Sequence, residues 1–320
     1  MKFPLRPTHW TLEDVHEHLE FAVNLEMWTI PYYMTALYSI RSNSDPSLLL
    51  LRSVVHQEML HAQLAANIYN ATQPSRPLRL GPYLYEKDGK VPHLDFNLDP
   101  QAVKKYGQPD PQLGPLDLAR MGTMCLIELP EIRRPPSAPT ETEYATIGDF
   151  YDAVRTGLQQ TSDAIRGGQT QIDYFGHFYN HLTTLTVTSD GAEGLQQAQL
   201  LIEAITEQGE GTKHEDGPIP EEFQNTADGY NTSWSHFRKF NAIRDGLVAG
   251  RIPELYFADP DQRNTHAQLQ LVHDFGTLLR ALERLFSGRG APDFGVVMPK
   301  VGASVLNCWR TGVVPQFSER

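Results

Sequence analysis

Two residues three positions apart, Glu58 and His61, carry the clearest chemical signal in the sequence. On a helix this spacing puts both side chains on one face, one turn apart and directed at the same point. Both positions fall on the apolar face of their segment, where an unpaired carboxylate would be costly to bury. Glu26 has the same problem in the preceding apolar segment. A divalent cation would neutralise these carboxylates, so the sequence predicts half of a metal site.

The second half of the predicted site is less regular. Glu207 and Glu210 lie three apart in ITEQGEG, and His236 follows in SWSHFRKF on an apolar helix face. In di-metal carboxylate bundles each half supplies one Glu and one Glu-x-x-His pair. The residue three before His236 is Ser233, which cannot replace a carboxylate ligand. Glu207 and Glu210 complete the count, and four Glu with two His would suit two octahedral metal ions.

Plainer alternatives stay open for this second half. Glu207 and Glu210 would then lie at an exposed helix end, although the helix macrodipole disfavours glutamate there. His236 would be a hydrogen-bonded core histidine. Glu128, in CLIELPE, is a further candidate, which we expect to orient a histidine ligand rather than to bind metal itself.

The elements that must position these residues are helices. Thr11, followed by acidic residues, marks the start of a helix over 12–40, and Asp45 with Pro46 marks the start of a second over 46–71. So short a connection makes the two helices antiparallel. Apolar periodicity predicts further helices over 115–130, 144–166, 193–209, 233–248 and 269–286.

We therefore expect a mainly α fold, a four-helix bundle with additional helices and long irregular loops. A single domain would cover residues 1–320, with the metal-binding bundle over 12–248. Prolines and polar residues predict inserted loops at 72–114 and 211–230. Residues 262–310 would form a C-terminal helical extension packed on the bundle.

Composition excludes several classes of protein. The chain has 27 Lys and Arg against 39 Asp and Glu, a net charge of −12, and no basic stripe, so no nucleic-acid partner is expected. The chain has only two cysteines, Cys125 and Cys308, which are too few for a disulfide framework or for a zinc site made of thiolates. We expect both thiols to be buried. No apolar run is long enough for a membrane span or a secretory signal, which predicts a cytoplasmic protein. The best strand signal, 185–188, is weak.

The segments LEFAVNLEMWTIPYYMTALYSI and VVHQEMLHAQLAANIYNA resemble the ferritin-like domain of the iminophenyl-pyruvate dimer synthase family, known from violacein and indolocarbazole pathways. IGDFYDAV, ITEQGEG and SHFRKF follow in the family's order, so the resemblance covers roughly residues 12–245. The named synthases are much longer chains. The resemblance implies a ferritin-like bundle and carries over six metal residues: Glu26, Glu58, His61, Glu207, Glu210 and His236.

These features favour a non-haem di-iron oxidoreductase with two iron ions per chain, or another divalent metal in their place. It would use dioxygen or peroxide on a small metabolite, aromatic or derived from an amino acid. Trp28, Tyr32 and Tyr33 would give its pocket an aromatic wall. The resemblance implies a second hypothesis, oxidative coupling of keto-acid imines. A third is a non-catalytic iron-binding protein. The substrate stays open, as does assembly into a homo-oligomer.

Overall fold

The computed structural model describes residues 4–85, 91, 100–130, 144, 146–176, 185–211, 217–224, 229–259 and 265–318. Over these ranges the chain forms nine α-helices and no strand, and residues 185–188 are not extended into one. An isolated antiparallel bridge joins Ile40 to Leu255. The mainly α prediction is confirmed.

The helices, in chain order, are α1 (Leu12–Ser39), α2 (Pro46–Ala71), α3 (Pro100–Tyr106), α4 (Leu118–Ile127), α5 (Ile147–Gln160), α6 (Gly191–Gly209), α7 (His236–Val248), α8 (Thr265–Phe286) and α9 (Phe294–Arg310).

The starts of α1 and α2 follow from local chemistry, as predicted. The Thr11 side chain accepts a hydrogen bond from the Asp14 amide, and the Asp14 carboxylate accepts one from the Thr11 amide at 2.8 Å. This reciprocal cap satisfies two backbone donors that a helix N-terminus otherwise leaves free. At α2 the Asp45 side chain accepts from the Ser47 amide at 2.8 Å, and Pro46 occupies the first helical position.

Helix α3 corrects the expectation that residues 72–114 are irregular throughout. Pro100 occupies its first position, where a missing amide hydrogen costs nothing. Gly107 follows its last residue with a φ of +92°, a left-handed conformation that favours glycine. This proline and glycine pair is a local helix signal too short for apolar periodicity to reveal.

Helices α1 and α2 form the centre of the molecule, pack along each other, and are buried around most of their circumference. Helix α5 packs on α1, while α6 and α7 both pack on α2. Helices α5 and α6 contact each other, and α4 packs on α7. A helix buried on all sides directs its polar residues at other helices rather than at water. Those residues therefore need partners inside the bundle.

The C-terminal helices α8 and α9 pack on each other, and α9 also contacts α1. The Trp309 indole donates a hydrogen bond to the Thr35 carbonyl at 3.0 Å, which ties α9 to the central helix. Both cysteines, Cys125 and Cys308, are free and buried, as predicted. Among the helices of the described ranges, none is long and apolar enough to cross a bilayer.

Candidate metal centre

Glu58 and His61 face the same point inside the bundle, as their spacing on α2 predicts. The Nδ1 atom of His61 lies 3.9 Å from Oε2 of Glu58 and 3.7 Å from Oε2 of Glu26. Glu26 comes from α1, which packs along α2. These three residues form the first half of the centre.

His236 brings the second half of the centre against the first. It is the first residue of α7, directly after Ser235, whose side chain caps the helix. Its Nδ1 atom lies 2.9 Å from Oε1 of Glu58 and 3.9 Å from Oε2 of Glu128. Because no helical turn precedes His236, this half has no Glu-x-x-His pair, and Glu128 at the end of α4 supplies the carboxylate instead.

The five side chains alternate in the order Glu26, His61, Glu58, His236, Glu128. Glu58 occupies the middle, with one carboxylate oxygen toward each histidine, and the two imidazole rings lie 5.3 Å apart and 25° from parallel. One ligand atom each from Glu58, His61 and His236 can be chosen within 4.8 Å of one another. No residue of the five is more than 4% exposed. Three carboxylates thus share a site that bulk solvent barely reaches.

Two tyrosines bind the outer carboxylates of this row. The Tyr151 hydroxyl on α5 donates to Oε1 of Glu26 at 2.6 Å, and the Tyr33 hydroxyl on α1 donates to Oε1 of Glu128 at 2.8 Å. Burial, with the nearby carboxylates adding to it, raises the pKa of both phenols well above the ordinary value. Both tyrosines are therefore neutral donors, which orient the remaining oxygen of each carboxylate toward a histidine.

Burial and repulsion shape the pKa values in the centre. Burial raises the pKa of Glu58 well above its ordinary value, and the charges of Glu128 and Glu26 add to the rise. Burial opposes ionisation of Glu26 too, but its neighbours His61, Glu58 and Tyr151 together outweigh burial and lower that pKa. Burial lowers the pKa of His236, which favours its neutral, metal-binding form.

The donors fit divalent metal ions. Oε1 of Glu58 and Nδ1 of His236 are buried 2.9 Å apart, and neither has a hydrogen-bond partner in the described part of the chain. Two facing atoms with lone pairs are costly to bury unless a proton or a metal cation lies between them, and metal binding would displace the proton. Carboxylate oxygen and imidazole nitrogen are donors that iron, manganese and zinc all accept.

The structure brings together four of the six predicted ligands: Glu26, Glu58, His61 and His236. Glu210 instead accepts a hydrogen bond from the Gly148 amide at 2.6 Å, at the start of α5, where the helix dipole favours a carboxylate. Glu207 is partly exposed, and α6 presents the next two residues, Gln208 and Gly209, to the centre.

The residues that the sequence prediction misses surround the histidines and the outer carboxylates. The side-chain oxygen of Gln208 lies beside Nε2 of His61, and that of Gln57 lies beside Nε2 of His236. Lys239 is fully buried and donates a hydrogen bond to Gln57. The signal that the sequence contains is the spacing, because a lysine three residues after His236 lies near the same helix face as that histidine. Glu128 was assigned a supporting role, but its carboxylate lies as near His236 as that of Glu58 lies to His61.

The sequence model described as Ferritin-like matches residues 19–245, more than half of the chain. The chain belongs to the ferritin-like family. A solved structure of a ferritin-like protein from Caulobacter vibrioides is 40% identical, with a TM-score of 0.80 over 98% of this chain and 100% of that one. No curated protein matches the sequence. The ferritin-like bundle is thus established by sequence and by fold.

Proposed function

We propose that this ferritin-like protein is a non-haem oxidoreductase with a two-metal centre, held by Glu26, Glu58, His61, Glu128 and His236. The observation that carries the proposal is the position of Glu58, whose two oxygens face two different histidines. A carboxylate so placed suits a bridge between two ions. This ligand set exchanges the predicted Glu207 and Glu210 for Glu128.

Charge supports two ions together with an anionic ligand. The three carboxylates and the buried Lys239 sum to −2 when all are ionised, so two divalent ions leave the site at +2. Oxygen-derived anions or a substrate carboxylate would offset that excess. Iron is the proposed metal because two ferrous ions, when bound, would supply electrons to dioxygen or peroxide and so activate that oxidant toward a substrate.

The protein's own part is to exclude water and hold the ligands. Tyr33 and Tyr151 hold the outer carboxylates through their hydroxyl hydrogens. Of the aromatic residues expected to form a pocket wall, Trp28 and Tyr32 donate instead to the backbone carbonyls of Leu84 and Asp110. Only the third, Tyr33, contacts a proposed ligand in the described structure. The substrate is therefore proposed only as a small organic molecule.

Anaerobic titration of metal-free protein with ferrous iron tests the proposal. Saturation at two equivalents per chain, followed by oxidation of the iron when dioxygen is admitted, is expected. Saturation at one equivalent would contradict the two-metal centre. Consumption of dioxygen that no organic substrate accelerates would instead favour the non-catalytic iron-binding hypothesis.

The resemblance to iminophenyl-pyruvate dimer synthases supplies a narrower hypothesis, oxidative coupling of two keto-acid imines at the same site. Iron-loaded protein should then convert aromatic keto-acid imines to a coupled product, detected by mass spectrometry. Metal-free protein is the control. Turnover of other small aromatic substrates with no coupled imine product would leave the broader oxidoreductase proposal intact and contradict this one.

A further inference from the structure

Each histidine of the centre has a glutamine amide behind it. Nε2 of His61 lies 2.9 Å from Oε1 of Gln208, and Nε2 of His236 lies 3.2 Å from Oε1 of Gln57. Both glutamines are fully buried. A neutral imidazole carries hydrogen on one nitrogen only, and the other nitrogen keeps its lone pair. The glutamine atom that faces Nε2 therefore decides which nitrogen is free to bind metal.

The orientation of each glutamine amide is fixed by a hydrogen-bond partner that can only donate or can only accept. The Lys239 ammonium, which has donors and no acceptor, lies 2.9 Å from Oε1 of Gln57. The Phe223 carbonyl, which only accepts, receives a hydrogen bond from Nε2 of Gln208 at 2.6 Å. Turning either amide over would set donor against donor or acceptor against acceptor. Each glutamine must then offer oxygen to its histidine.

We propose that Lys239 and the Phe223 carbonyl are positioning groups that act through Gln57 and Gln208. They hold His236 and His61 in the tautomer with hydrogen on Nε2, so that both Nδ1 lone pairs face the carboxylates. The tautomers are properties of the metal-free protein. Their use in metal binding rests on the proposed function.

The two positioning arrangements share no positioning residue, which gives the molecule an internal control. Lys239 and Gln57 come from α7 and α2, whereas Gln208 belongs to α6 and Phe223 to the short 3₁₀ turn at Glu221–Phe223. A change in one should leave the histidine of the other untouched. A general loss of packing would disturb both rings together.

Lys239→Met removes the ammonium group, keeps a side chain of similar length and introduces no new charge. Gln57 can then rotate, and its amide hydrogens can face His236, which favours hydrogen on Nδ1. Gln208→Met removes the oxygen that holds His61. Lys104→Met, at an exposed position of α3, is the matched control for the loss of a lysine.

Nitrogen NMR of histidine-labelled, metal-free protein reads the tautomers directly, with His61→Gln and His236→Gln used for assignment. Both rings should carry hydrogen on Nε2 in the wild type and in Lys104→Met. Lys239→Met should shift His236 alone, and Gln208→Met should shift His61 alone. The affinity for Mn²⁺, measured by calorimetry, should fall by about 10- to 100-fold in Lys239→Met and in Gln208→Met, because removal of groups that orient metal ligands has an effect of that size.

Hydrogen on Nδ1 of either ring in the wild type would overturn the proposal, as would Lys239→Met protein with the His236 tautomer unchanged. If Lys239→Met fails to fold, the wild type and Gln208→Met still decide the matter. If both histidines carry hydrogen on Nε2 but neither the wild type nor any variant binds metal, this inference holds and the proposed function is contradicted.

Discussion

Oε1 of Glu58 lies 2.9 Å from Nδ1 of His236, although the two residues come from different helices and neither atom has a hydrogen-bond partner among the described residues. The second oxygen of Glu58 faces the other histidine, His61, and also accepts a hydrogen bond from the Thr29 hydroxyl at 3.1 Å. No other carboxylate in the row faces both rings.

Glu58→Gln should therefore weaken both metal sites at once. The amide keeps the volume but loses the charge and one of the two oxygens. Removal of a group that only orients a ligand lowers metal affinity by about 10- to 100-fold. Loss of the shared ligand itself should therefore lower the affinity at least about 100-fold. Calorimetric titration with Mn²⁺ measures it. Glu203→Gln, an exposed carboxylate on α6, is the matched control and should bind like the wild type. Full binding by Glu58→Gln would be incompatible with a bridging role.

Glu128→Gln should remove the ion beside His236 and spare much of the binding beside His61. Metal analysis after dialysis should then find close to one ion per chain. Glu207→Gln is the informative comparison, because sequence spacing assigns that residue to the site and the geometry does not. It is expected to retain both ions. The reverse pattern, with Glu207→Gln deficient and Glu128→Gln intact, would reinstate the ligand set predicted from sequence.

Gly209→Ala tests the contact between α6 and the centre without touching a ligand. A methyl group there would lie 2.9 Å from Oε2 of Glu128, closer than real contacts allow, so the carboxylate must move. Metal affinity should fall about 10-fold. Gly276→Ala in α8, whose methyl group would meet only the Arg280 side chain at 3.5 Å, is the control and should raise stability by about 0.5–1 kcal/mol. Equal metal affinity in both variants would mean that Glu128 is not held where its ligand role requires.

The stabilisation by metal should grow with pH. The pKa of Glu58 is raised in the folded, metal-free protein, so its contribution to stability is complete below the unfolded value of 4.5 and is lost as pH rises through the folded pKa. The lowered pKa of Glu26 acts oppositely, with a contribution present above 4.5 and lost only in more acid solution. As pH rises from the unfolded value toward the folded pKa of Glu58, the Glu58 effect dominates, and metal binding releases the Glu58 proton.

Unfolding free energies with and without Mn²⁺, measured at a series of pH values above 4.5, test this linkage. The difference between the two free energies should widen as pH rises, by up to about 1.4 kcal/mol per pH unit for each proton released. Glu58→Gln, which has no proton to release there, should show a flatter dependence. A wild-type difference that is constant with pH would contradict the assigned protonation of Glu58.

The part of the centre that sequence predicts is the part built on regular helices. Glu26, Glu58 and His61 are polar interruptions of strong apolar periodicity in α1 and α2, and a helix converts that spacing directly into direction. The capping residues Thr11 and Asp45 could be predicted for the same reason, since their partners are two or three residues away.

Glu128 could not be placed in this way. It caps the end of α4 with a φ of −95° and a ψ of 22°, outside the helical period, and the packing of α4 on α7 sets what its carboxylate meets. For α6 the sequence prediction rested on charge, because the carboxylates of Glu207 and Glu210 suit a metal better than the amide of Gln208 does. The rotation of the helix, fixed by packing on α2 and α5, nevertheless gives Gln208 the inward position.

Anomalous diffraction from crystals loaded anaerobically with ferrous iron tests the central claim most directly. We expect two iron peaks about 4 Å apart. One should lie between His61, Glu26 and Glu58, and the other between His236, Glu58 and Glu128. A single peak, or iron bound through Glu207 and Glu210, would contradict the two-metal centre proposed for this ferritin-like protein.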